Sequence, residues 1–175
     1  MTVPLYNVLF LCTGNTARSI LAESILRKQG KGRFMAYSAG SHPKGLVNPL
    51  TIETLVAMDC EVAGLRSKSW DEFMLPGAPH MHFVITVCDN AAGEVCPVWP
   101  GHPVTAHWGI ADPAAVTGDI LEKRRAFNEA YRLLNNRIAL LVNLPLASLD
   151  KIATAARMRS IGETEGATGN FRALK

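Results

Sequence analysis

The sequence predicts an α/β protein with an open parallel sheet, and three observations carry that expectation. Short, almost unbroken apolar runs, such as Val8 to Leu11 and Phe83 to Val87, alternate with stretches whose apolar residues recur at helical spacing. Two of those runs, although far apart in the chain, end on a cysteine, Cys12 and Cys88. The chain has 175 residues, 48% of them hydrophobic and 19% charged, which suits a single domain with a core of its own.

Val8 to Cys12 reads as the first strand, Thr13 to Ser19 as a tight turn, and Ile20 to Lys28 as the first helix. Phe34 to Gly40 is the second strand, followed by a loop with His42, Pro43 and Gly45. Asn48 is placed to cap a helix with Pro49 in its first turn, and Leu50, Ile52, Leu55, Val56 and Met58 give it an apolar side. Ser67 to Phe73 reads as a short capped turn. His82 to Cys88 and Pro103 to Trp108 are the third and fourth strands. A long amphipathic helix runs from Asp119 to Asn143, and Pro145 stops it. A last helix spans Leu146 to Ile161, with Leu149, Ile152, Ala153, Ala156 and Ile161 on one side. Residues 1–161 form the expected domain, and the tail from Gly162 to Lys175 has little to bury and is expected to be disordered.

Composition narrows the function. The formal net charge of +3 comes from scattered basic residues, which fits a small anionic substrate and not nucleic acid. No apolar run reaches the length of a membrane span, and the N-terminus lacks a basic region followed by an apolar stretch, so a cytoplasmic location is expected. Four cysteines in such a compartment imply reactive or metal-binding roles and not a static disulfide framework. Cys60 follows the apolar run Leu55 to Met58 and reads as packed.

The turn after Cys12 carries the chemistry. The first amides of a helix have no partner inside it, and the macrodipole places positive charge there, so an oxyanion is the natural guest. The amides of Thr13, Gly14, Asn15, Thr16, Ala17 and Arg18 can ring a tetrahedral anion, and the Arg18 guanidinium can close the ring. Cys12 then faces the central atom. The same surroundings are expected to lower its pKa below the ordinary value of about 8.5. Gly14 and Asn15 suit left-handed backbone angles, and the Ser19 hydroxyl can reach the sulfur.

A thiolate held against an oxyanion has two fates. With phosphorus at the centre, the sulfur takes the phosphoryl group and an Asp protonates the leaving oxygen. With arsenic(V), a second thiol can attack the first sulfur, expel the reduced oxyanion and leave a disulfide, which a third thiol can carry outward. Cys88 and Cys96 suit the second and third positions, because strand C-termini converge on one edge of a parallel sheet. A buried, inert Cys88 is the plainer reading, and zinc held with His102 or His107 is disfavoured by the seven residues between the cysteines. Asp112, before Pro113 in an edge loop, can serve as the proton donor.

Together, Cys12-Thr-Gly-Asn-Thr-Ala-Arg-Ser19, Tyr37-Ser-Ala-Gly40, Val87-Cys88-Asp-Asn, Cys96-Pro97 and His107-Trp108 with Asp112-Pro113 resemble the arsenate reductases built on the low-molecular-weight tyrosine phosphatase fold. The resemblance covers about residues 6 to 143. It implies a three-layer α/β sandwich with a four-stranded parallel sheet. It further implies Cys12 as nucleophile, Arg18 as clamp, Asp112 as general acid or proton acceptor, Cys88 as resolving cysteine and Cys96 as final disulfide partner. Arsenate is the implied substrate, with phosphate or sulfate competing, and thioredoxin or a glutathione/glutaredoxin system is the implied reductant; no tightly bound cofactor is expected. Some members hold a potassium ion through residues matching Asn15, Glu23 and Ser38. A tyrosine phosphatase is the alternative, against which stand Ala114, where those phosphatases carry an aromatic residue, and the two further cysteines. A non-catalytic oxyanion-binding module is a third reading. The chain is expected as a monomer or homodimer, with the last helix available for pairing.

Overall fold

The computed structural model describes residues 3–94 and 97–168. Four strands, β1 (Tyr6–Cys12), β2 (Phe34–Gly40), β3 (Phe83–Thr86) and β4 (Val104–His107), form one sheet in the order β2-β1-β3-β4, with every neighbouring pair parallel. The helices are α1 (Arg18–Gln29), α2 (Pro49–Ala57), α3 (Asp89–Gly93), α4 (Ile120–Val142) and α5 (Lys151–Gly162). The register sets Cys12 beside Gly40, Leu11 beside Thr86, and Thr86 beside His107. All four strands therefore end on one edge, where ligands of open α/β sheets bind.

Alternation along β1 divides the core, because successive side chains point to opposite faces. Val8, Phe10 and Cys12 pack with Leu21 and Ile25 of α1, Leu134 and Ile138 of α4, Met158 of α5, and Trp108. Leu9 and Leu11 pack on the other side with Val84, Met81 and Trp99, and Trp70 and Phe73 of a 3-10 turn close that thinner layer. Burying an aliphatic side chain of this kind contributes roughly 1.5–3 kcal/mol.

Helix boundaries follow their caps. The Asn48 side chain accepts from Leu50 N with Pro49 in the first turn, and Asp119 and Glu122 form a reciprocal capping box that starts the 23-residue α4. Three expectations need correction. The apolar side assigned to α2 is largely solvent-facing: only Leu55 of its apolar residues is buried, beside Thr51 and Thr54, because the helix rests on α1 and α4 by one narrow stripe. In α5, Ile152 is 84% exposed and the buried stripe is Thr154, Met158 and Ile161. The Asp150 cap starts α5 at Lys151, with Leu146–Ser148 a separate 3-10 turn, and this rotates the stripe.

The third correction concerns the tail. Gly162 is buried against β4, where an added Cβ would stand 2.1 Å from the His107 carbonyl oxygen. Residues 163–168 stay on the molecule. Arg132 pairs with Glu165 at 3.0 Å, and the Thr168 amide donates to the Gly109 carbonyl at 3.0 Å. Fully buried Arg137 donates to the Trp108 and Gly109 carbonyls at 2.6 and 3.2 Å, and to the Glu165 carbonyl at 3.4 Å. A buried guanidinium needs acceptors, and the sequence between Trp108 and Glu165 supplies them as backbone oxygens. The loop leading to Asp112 is thereby fixed from below. Residues from 169 onward lie outside the described residues.

Candidate active site

β1 ends at Cys12 and α1 begins at Arg18, so five residues make the turn. Its carbonyls are held from outside. Ser41 N donates to Cys12 O at 3.3 Å, His42 N to Thr13 O at 2.9 Å, Lys44 N and Ser67 Oγ to Gly14 O at 3.1 and 3.2 Å, and Asn48 N to Thr16 O at 3.0 Å. With those oxygens drawn toward the loop after β2, the opposite faces of the peptide groups turn inward as donors. The α1 N-cap is Ala17, whose side chain makes no cap hydrogen bond, so the first amides of that 12-residue helix are left for an anion. Gly40 makes room for this winding: a Cβ there would stand 2.4 Å from the Thr13 carbonyl oxygen and 3.0 Å from Asn15 Cβ. Of the two residues suited to left-handed angles, Asn15 adopts one, with φ 48°, whereas Gly14 does not.

Asn15, fully buried, is the hub. Its amide donates to Cys12 Sγ at 3.2 Å, its Nδ2 donates to Ser19 Oγ at 2.8 Å and to Ser38 Oγ at 3.1 Å, and its Oδ1 accepts from Lys68 N at 2.9 Å. Because Ser19 Oγ accepts from Asn15, its proton is available to Cys12 Sγ, 2.9 Å away. Cys12 is 5% exposed, and burial pushes its thiol above the ordinary range. The Ser19 hydroxyl and the Asn15 and Ser19 amides pull it back only in part, and a negative charge on Cys88 would raise it further. This corrects the expectation of a depressed pKa: desolvation outweighs the donors around the sulfur. A group whose pKa is raised stays protonated until the pH passes that value. The ultraviolet thiolate absorbance of a variant keeping only Cys12 should therefore appear above the pH of an ordinary cysteine; a step at neutrality would restore the original expectation.

The other site residues stand around this loop. Arg18 Nη1 donates to the Ile110 carbonyl at 2.9 Å and Nη2 lies 3.5 Å from Asp112 Oδ2, with the side chains 17% and 40% exposed. Asp112 also caps the 3-10 turn at Pro113–Ala115 through Ala114 N. Cys88, 2% exposed, is the N-cap of α3: its Sγ accepts from Ala91 N at 3.3 Å and lies 3.7 Å from Thr13 Oγ1. The stretch after Cys88 is therefore a short helix before it becomes loop. Cys12, Cys60 and Cys88 are all free thiols. Cys60, buried beside Tyr131 at 3.5 Å from its hydroxyl, lies away from the loop. Cys96 lies outside the described residues. Among those described, no three or more His, Cys, Asp or Glu side chains gather as a metal site.

Asn15, Glu23 and Ser38, the residues matched to a potassium ion, do come together, but a lysine stands with them. Ser38 Oγ donates to Glu23 Oε2 at 2.9 Å and accepts from Lys68 Nζ at 3.5 Å. Glu23 and Lys68 are only 3% and 8% exposed. Burial pushes Glu23 up and Lys68 down, and each is pulled back toward its charged form by the other. A second cation would meet that ammonium, so the donor set does not fit potassium. Sequence reasoning missed this role for Lys68, which sits between two serines in a polar turn with no local sign of burial. It named His107 but not its contacts: Nδ1 lies 2.7 Å from Thr86 Oγ1 and Nε2 lies 2.8 Å from Asp89 Oδ1, and Thr168 Oγ1 donates to that same oxygen at 3.1 Å. The signal for His107 was its position at a strand end level with Thr86.

Residues 7–154 match the family model described as low molecular weight phosphotyrosine protein phosphatase. The arsenate reductase of Oceanobacillus iheyensis is 35% identical over 131 residues, covering 75% of this chain and 91% of that protein. The thioredoxin-dependent arsenate reductase of Corynebacterium glutamicum superposes with a TM-score of 0.55 at 26% identity, over 81% of this chain and 65% of that one. The low molecular weight protein tyrosine phosphatase of T. tengcongensis shares the fold, with a TM-score of 0.61 at 23% identity over 78% and 97% of the two chains.

Proposed function

The chain belongs to the low molecular weight phosphotyrosine protein phosphatase family, and within that fold we propose that it reduces arsenate to arsenite by thiol chemistry. The observation that carries the reading is Cys88, a buried free thiol joined to the nucleophile's own loop through Thr13. A phosphatase needs one sulfur at this crevice, whereas a two-electron reduction needs two. The curated relatives named arsenate reductase agree with it.

Arsenate enters the ring formed by Thr13, Gly14, Asn15, Thr16, Ala17, Arg18 and Ser19, with Arg18 held toward the mouth by Ile110 and Asp112. Cys12 attacks arsenic, and Asp112, partly exposed beside Arg18, protonates the departing oxygen or receives the thiol proton. Because burial keeps Cys12 a thiol, the proton has to leave as the anion arrives. Cys88 then attacks Cys12 Sγ; the sulfur–arsenic electron pair stays on arsenic, which leaves as arsenite, and a Cys12–Cys88 disulfide remains. Cys96 takes over Cys12's place in that disulfide and presents it to an external thiol reductant. The thioredoxin-dependent relative from C. glutamicum supports thioredoxin in that place. No helix among the described residues is long and apolar enough to cross a membrane.

The test is to follow arsenite formation with thioredoxin and with glutathione/glutaredoxin supplied separately, and aryl phosphate hydrolysis in parallel. Arsenite formed with either reductant sustains the reading; hydrolysis without arsenite overturns it in favour of a phosphatase.

Lys68 supplies a buried cation beside Ser38 and Glu23, and Arg27 adds an ion pair to Glu23 at 3.0 Å. Activity should therefore be indifferent to replacing potassium by sodium in the buffer. Lys68→Met should lose about 10-fold in kcat/KM or more, because it leaves the Glu23 carboxylate buried without that charge, and added potassium should restore part of the loss. Potassium stimulation of the unaltered protein would show that the ion binds despite Lys68.

A further inference from the structure

We infer that Glu94 is the proton acceptor for the Cys88 thiol, reached through the hydroxyl of Thr13. The inference rests on the reading that Cys88 attacks Cys12. Thr13 Oγ1 donates to Glu94 Oε1 at 3.2 Å and lies 3.7 Å from Cys88 Sγ, so one hydroxyl bridges the thiol and the carboxylate. The second carboxylate oxygen, Glu94 Oε2, is buried and has no hydrogen-bond partner among the described residues. One carboxylate oxygen thus faces the hydroxyl that would deliver the proton, and the other is tied to no competing donor among the described residues.

A structural role explains this arrangement less well. Glu94 is the residue just past the end of α3 and forms no ion pair among the described residues. The other acid–base groups of the crevice are engaged elsewhere: Asp112 faces Arg18, and His107 bonds Thr86 and Asp89. Asp112 and Glu94 thus divide the proton traffic between the first sulfur and the second.

In the step, the Cys88 S–H proton moves to Thr13 Oγ1 while the Thr13 hydroxyl proton moves to Glu94. The new thiolate is left with two donors, the Thr13 hydroxyl and the Ala91 amide at 3.3 Å. It forms the bond to Cys12 Sγ as the bond from that sulfur to arsenic breaks. The electron pair of the broken bond reduces arsenic(V) to arsenic(III), and the two sulfurs are oxidised to the disulfide. Glu94 holds the proton until the departing oxyanion or water removes it.

The experiment is a single turnover: the fully reduced protein is mixed with arsenate, no external reductant is present, and arsenite release is timed across pH. The unaltered protein should release arsenite; if it releases none, the reading of the reaction fails, whatever Glu94 does. Glu94→Gln should bind inorganic phosphate at least as well, since a negative charge near the loop has gone. It should release arsenite about 10²-fold more slowly at neutral pH, a deficit of the size expected for a lost proton acceptor. The deficit should close as pH rises and hydroxide takes the proton directly. Thr13→Val should show the same profile and Thr13→Ser should not. Wild-type release by Glu94→Gln, or a loss that is equal at every pH, overturns the proposal.

Discussion

Cys12→Ser should release no measurable arsenite with any reductant, a loss of at least about 10⁴ in kcat. The substitution leaves the loop's framework in place: the Asn15 amide and the Ser19 hydroxyl that now bond Sγ can bond the serine oxygen, and Ser41, His42, Lys44 and Asn48 still hold the carbonyls outward. Phosphate should therefore still bind, raising the melting temperature as any ligand confined to the native state does. What is lost is the chemistry. An alkoxide is far less accessible than a thiolate at neutral pH, and an oxygen–arsenic linkage cannot be opened by a second thiol to give a disulfide. Intact phosphate stabilisation with absent arsenite assigns Cys12 to bond making; arsenite at an undiminished rate would require another nucleophile and remove the reading at its root.

The parts of this molecule that are written locally were legible, and the parts that depend on long-range packing were not. The Asn48 and Asp119 caps fixed where α2 and α4 begin, because the capping residues and the amides they serve are neighbours in sequence. The end of β1 at Cys12 and the turn that follows it were legible for the same reason, whereas β3 stops at Thr86, two residues before the expected end at Cys88, and β4 at His107, one before Trp108. The buried stripe of α5 was misread because a cap at Asp150 and a 3-10 turn before it rotate the helix, and the difference between one face and another is only a residue or two of phase. The docking of Glu163 to Thr168 was invisible, since it depends on Arg137, whose need for buried acceptors appears only once α4 lies against the Trp108 loop. In the site, Cys12, Arg18, Cys88 and Asp112 were proposed from residue type and position, and the fold brings them around one loop. Lys68 and Glu94 were not singled out, because each lies beside a partner 45 or 81 residues away in sequence, Glu23 and Thr13.

With thioredoxin as reductant, Cys88→Ser should stop multiple turnover as thoroughly as Cys12→Ser, yet for a different reason, and four measurements define it. Stability should not fall. Cys88 is the N-cap of α3 through its sulfur, and serine is a preferred residue in that position, so the hydrogen bond to Ala91 N is kept or improved by a few tenths of a kcal/mol. The first chemical step should survive, since Cys12, Arg18 and Asp112 are untouched; arsenic should be retained on the protein after mixing with arsenate, at up to one equivalent, and released by a small external thiol. Turnover with thioredoxin should disappear, because the disulfide that it would reduce cannot form, whereas glutathione, small enough to attack Cys12 directly, should sustain a slow residue of activity. Any aryl phosphate hydrolysis should be unaffected, because water and not a second sulfur completes that cycle. Full steady-state arsenite production by Cys88→Ser would show that the thiol next to Thr13 takes no part in electron transfer. The proton route through Thr13 to Glu94 would then have no step to serve.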